Sequence, residues 1–179
     1  MLTVKVPQSE FFDEETYEFF TIHEQTLTLE HSLVAIAKWE SKYHKSFFAK
    51  TPKTGPELIE YYRCMTITQN VNPFVYMVLG EENIEKIHEY MEDPMTATTI
   101  KRSKRANSGT ITTSETIYYL MIQLGIPFEC QKWHINRLLT LIEVCEEENK
   151  PKKKMSNKQI LSEYSEINAA RRARMHSKG

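Results

Sequence analysis

Cys130 and His134 stand four residues apart, the closest this sequence comes to a reactive or metal-holding pair, because that spacing puts two side chains on one helix face. Two chemistries could use it. Structural zinc takes about four ligands, and no second Cys/His pair stands at a suitable spacing. A thiol nucleophile with an imidazole base needs an oxyanion loop and a third group to orient the base, and neither is written nearby. The pair therefore reads as packed core. Glu143, Glu146, Glu147 and Glu148 imitate a carboxylate site but read as the solvated end of a helix. Four acids there oppose the helix dipole and invite a basic partner such as KPKKK at 150–154. No phosphate-binding, zinc-protease or nucleophile-elbow motif occurs, and five glycines leave little for phosphate-cradling loops. The residues point away from an enzyme, with no catalytic residue, cofactor or metal expected.

The elements that would carry these residues are clearest between 112 and 149. Thr112 and Glu115 have capping-box spacing, which starts a helix near Thr113. Ile117, Leu120, Met121 and Leu124 make its apolar stripe, and Gly125 supplies the left-handed position that ends it. Pro127 suits the first turn of a second helix, which carries Phe128, Trp133, Ile135, Leu138, Leu139, Leu141, Ile142, Val144 and Cys145. That face is wider than one neighbouring helix needs. The expectation is a helical hairpin core at 113–148.

Around it the chain reads as mainly α with a small N-terminal antiparallel β element. Leu2, Val4 and Val6 alternate with polar residues, Thr16–Ile22 and Thr26–Leu29 are β-rich, and the intervening HEQ reads as a turn, giving a hairpin or three-stranded meander. So small a sheet should lie on a helix or pair with another subunit, and its edge is a candidate contact. Helical patterns follow at 30–43, after Thr54, at 74–79 and at 84–91. KRSKRANSG at 101–109 reads as a mobile basic loop. Residues 1–149 are read as one globular domain, with β element 1–29 and helices 30–149. Residues 150–179 are read as a basic linker and a docking helix with a thin stripe of Ile160, Leu161, Tyr164 and Ile167.

A net charge of −1 conceals an asymmetry, since residues 150–179 hold nine Lys or Arg against two Glu and leave the body with a surplus of eight negative charges. Such a tail can meet its own body, an acidic partner or nucleic acid. KRSKR at 101–105 and RRAR at 171–174 lack interleaved aromatics, and an acidic body repels a polyanion, so nucleic acid is the weaker reading. No apolar run reaches the roughly 18 residues of a membrane span, and the N-terminus lacks signal-peptide character. Cys64, Cys130 and Cys145 form no C-x-x-C and suit reduced, buried thiols. Trp39 and Trp133 read as core residues.

Three segments in order carry a resemblance: LEHSLVAIAKWESKYHKSF at 29–47, RCMTITQNVNP at 63–73 with EDPMTATTI at 92–100, and TIYYLMIQLGIPFECQKWHINRLLTLIEVC at 116–145 followed by KKMSNKQI. Together they resemble proteins from the tail-morphogenesis region of long-tailed bacteriophages, the tail assembly chaperones, over nearly the whole chain. The resemblance implies a non-catalytic protein in the bacterial host cytoplasm that binds the tape measure protein, keeps it soluble and delivers it as tail tube protein assembles around it. It also implies that a programmed frameshift can append a second domain. Self-association is expected, and Phe128, Trp133, Ile160, Leu161, Tyr164, Arg171 and Arg172 are the candidate partner contacts. The alternatives are a structural virion component, such as a head-to-tail connector, and a nucleic-acid-binding protein.

Overall fold

Alternation at the N-terminus produces β1 (Leu2–Val6), whose Val4 and Val6 are buried while Thr3 and Lys5 face out. A computed structural model describes residues 1–14, 17–99, 112–150 and 157–175, in two compact units, Met1–Glu147 and Glu148–Gly179. The chain is mainly α with a small antiparallel β element, as expected. The strands are not a meander. β1 pairs with β4 (Gln25–Leu29) in the register Val4↔Leu27, while β2 (Ser9–Asp13) pairs with β3 (Glu18–Ile22) in the register Phe12↔Phe19. Chain reversal falls beyond Asp13, where Tyr17 takes φ 57°, and not at HEQ, which only links β3 to β4. Pro7 offers no N–H, and the two ladders separate beside it.

The outer edge of β4 is not open. Ile67 N–H donates to Thr28 O (2.8 Å), Glu30 N–H to Met65 O (2.9 Å) and Thr28 N–H to Thr68 Oγ1 (2.8 Å), so the segment after the second helix stitches it shut. On this side of the sheet the backbone groups of Thr28 and Glu30 are already paired, so the β4 edge is not the candidate contact.

Packing centres on α1 (Leu33–Tyr43), which Ser32 caps by accepting from Ala35 N–H. Leu33, Ile36 and Trp39 are buried, and α2 (Gly55–Met65) lies against them through Tyr61, Tyr62 and Met65. Thr54 starts α2 with its N–H donating to Glu57 Oε2 (2.8 Å), one half of a capping box. A 3-10 turn at Pro73–Tyr76 stands where a helix over 74–79 was expected, and α3 (Glu81–Glu92) then packs on β1.

Two helices do occupy 113–149, but the second begins later than its sequence proposes. α4 (Ser114–Gln123) is capped by Thr113, one residue past the predicted cap, and closes at Gly125 with φ 65°. Ile126 N–H donates to Met121 O and Gly125 N–H to Ile122 O, the paired bonds of a Schellman end. After Pro127 the chain makes a 3-10 turn (Phe128–Lys132), pairs His134 with Ser32, and enters α5 (Ile135–Asn149) only at Ile135, whose N–H donates to His31 O (2.7 Å). Both α4 and the 3-10 turn pack on α1, so α1 rather than the hairpin organises the first unit. The second unit holds α6 (Asn157–Met175), which continues through NAARRARM. The expected basic loop 101–109 and most of KPKKK lie outside the described residues.

Candidate functional site

The structure gathers chemistry-bearing side chains where α1, α2 and the start of α5 converge. His31 Nδ1 and Tyr61 Oη share a hydrogen bond of 2.5 Å, and the His31 and His134 rings are 5.0 Å apart. His134 Nε2 meets Tyr90 O at 2.9 Å while its Nδ1 accepts from Asn136 N–H, which fixes the Nε2–H tautomer of a neutral ring. Tyr90 Oη donates to Glu30 Oε1 (2.7 Å). Burial first, then the neighbouring His134 ring, with which it cannot share a second positive charge, and the Lys53 ammonium push His31 down to about 3. Burial also lowers His134 and raises Tyr61 well above its ordinary value.

Such a cluster resembles general acid–base machinery, yet its geometry serves packing. Both histidines are about 5% exposed and Tyr61 is fully buried, and His31 Nδ1 and both His134 ring nitrogens are spent on protein partners. Among the described residues every buried side-chain nitrogen and oxygen has a partner. Cys130 is buried in the 3-10 turn and His134 precedes α5, so the two do not share a helix as their spacing proposed. Among the described residues no group of three or more His, Cys, Asp or Glu could hold a metal. Glu40 is likewise structural. It is buried, and it accepts from Phe47 N–H and Ser114 N–H at 2.7 Å each, tying the end of α1 to the start of α4.

The predicted contact residues divide. Phe128 is 53% exposed and stands 6.4 Å from the ring of Tyr118, whose hydroxyl donates to Gln131. Trp133 is half-buried under the Arg137 guanidinium, 4.2 Å from its ring centroid. Leu161, Tyr164, Arg171 and Arg172 are exposed on α6; the side chain of Ile160 lies outside the described ones. Phe128 and the α6 residues belong to different units.

Sequence reasoning missed two further exposed apolar residues of the first unit. Tyr119 and Ile122 on α4 are 57% and 63% exposed. Both fall off the stripe of Ile117 and Met121 that packs inward, so large apolar residues beyond a complete stripe were the available signal. It also missed the ribbon end formed by β2 and β3. Phe12 and Phe19 face each other across the ladder with centroids 4.8 Å apart, Tyr17 lies 6.3 Å from Phe12, and all three are exposed. Flanking acids in SEFFDEETYEFFTI were the clue, since five carboxylates on a fourteen-residue ribbon cannot all be buried.

Among the described residues no helix is long and apolar enough to cross a membrane. The chain matches no family model, no curated protein and no solved structure.

Proposed function

We propose that this protein is a phage tail assembly chaperone that binds the tape measure protein, keeps it soluble in the host cytoplasm and delivers it for tail tube assembly. The observation that carries this reading is the exposure of Tyr119, Ile122 and Phe128, apolar side chains that the first unit leaves in water while, among the described residues, every buried side-chain nitrogen and oxygen has a partner. Burying each against a partner is worth roughly 1.5 to 3 kcal/mol, enough to hold a helical client by its apolar face. The segment resemblance supplies the identity of that client. Leu161 and Tyr164 on α6 offer further apolar contact, and Arg171 and Arg172 offer positive charge.

Co-expression tests the proposal. Tape measure protein should move from the insoluble to the soluble fraction when this chain is present, and an unchanged insoluble fraction would count against the reading. Mass spectrometry of purified virions addresses the alternative of a particle component. Abundant peptides from this chain in mature particles would replace the chaperone reading with the structural one.

A further inference from the structure

We propose that the acidic aromatic ribbon of one copy binds the basic C-terminal helix of a second copy, so that the protein assembles with itself head to tail. The ribbon is unusual in what it leaves unresolved. Residues 9–22 hold five Asp or Glu and no Lys or Arg, and the β2–β3 register sets Asp13 opposite Glu18. Beside them Phe12, Tyr17 and Phe19 form an exposed aromatic cluster. A partner for this surface must bring cations and apolar contact together.

α6 presents that combination. Tyr164, Ile167, Arg171 and Met175 recur at i, i+3, i+7 and i+11, which places apolar and cationic side chains on one face, with Arg172 at its margin. Ser162, Ser165, Ala169 and Ala170 fall on the other side. Arginine stacks on aromatic rings and forks onto carboxylates, so it suits both features of the ribbon. A ribbon cannot take a second ribbon, because two segments that each hold five acids and no Lys or Arg in sequence would repel. Since the two complementary surfaces are different, the contact is heterologous and adds copies in an open series or a ring.

Sedimentation velocity of the full chain over a range of concentrations, at low and high salt, tests this. The wild type should associate at low salt and dissociate as salt screens the contact. Two charge-reversed chains, one with Glu10→Lys, Asp13→Lys and Glu18→Lys, the other with Arg171→Glu, Arg172→Glu and Arg174→Glu, should each stay monomeric alone and associate when mixed. Phe12→Ser with Phe19→Ser should weaken association roughly tenfold or more. Unchanged circular dichroism would show that the exposed changes leave the fold intact. A wild type that stays monomeric throughout, or reversed chains that fail to rescue each other, would overturn the proposal. No client enters the measurement, so its failure leaves the chaperone reading standing.

Discussion

The rings around His31 and the rings on α4 are the same kinds of residue under opposite rules. Trp39, Phe47 and Tyr61 are buried, the Phe47 and Tyr61 centroids are 4.2 Å apart, and Trp39 Nε1–H donates to Glu57 O. Tyr119, Ile122 and Phe128, a few residues from that core along α4 and the following turn, stay in water. The first set explains why the chain folds; the second is surface that folding leaves unused. Among the described residues every buried side-chain nitrogen and oxygen has a partner, and large apolar side chains left exposed beside such an interior are available to a partner. Under the proposed function the exposed set serves a partner and the buried set serves stability, so substitutions in the two regions should behave differently.

The largest effect should come from Glu40→Ala. Removing its carboxylate leaves the Phe47 and Ser114 N–H groups buried without acceptors, each costing about 1 to 3 kcal/mol. Urea denaturation should show a loss of about 4 kcal/mol. A loss under about 1 kcal/mol would break the claim that this carboxylate holds α1 to α4.

Acid should reach the same core through His31. Its folded value, about 3, lies below the ordinary 6.5, so the unfolded chain takes the proton first. That contribution is complete above pH 6.5 and drains away as pH falls toward 3, removing roughly 3 kcal/mol by pH 4. Carboxylates titrate mostly lower, so the slope between pH 6.5 and 5 carries the buried histidines, and since burial lowers His134 as well, only the difference from a His31 variant isolates His31. Urea midpoints for wild type and His31→Gln should diverge there, with the variant flatter; parallel slopes would contradict the buried neutral pair.

How much of this was legible depended on whether the determining contacts are local. Thr54 with Glu57, and Gly125 with Ile126, act within one helical turn, and both capping structures can be read from the residue string. The start of α5 cannot. Pro127 proposes a helix, but the pairing of Ser32 with His134 and the bond from Ile135 to His31 O hold the intervening residues in another path, and those partners are a hundred residues away. A shorter separation in sequence, with β2 and β3 intervening, likewise hid the pairing of β1 with β4, and polar HEQ imitated a turn. For the candidate surface, Phe128 was legible because it begins an apolar run after a breaker. Tyr119 and Ile122 were not singled out, because α4 is apolar on several sides and composition does not say which side finds α1.

The smallest effect on stability should come from the exposed set. Tyr119→Ser, Ile122→Ser and Phe128→Ser together should shift the urea midpoint far less than Glu40→Ala, within about 1 kcal/mol in sum. A shift as large as that of Glu40→Ala would mean that the patch belongs to the core and would remove the contrast between the two regions.

The central claim is that this patch holds a protein client, and a pull-down tests it most directly. Tagged wild type and the triple serine variant would be co-expressed with tape measure protein and purified side by side. The account predicts that the wild type brings the client down and that the equally folded variant does not. Equal recovery with both, or with neither, would contradict it.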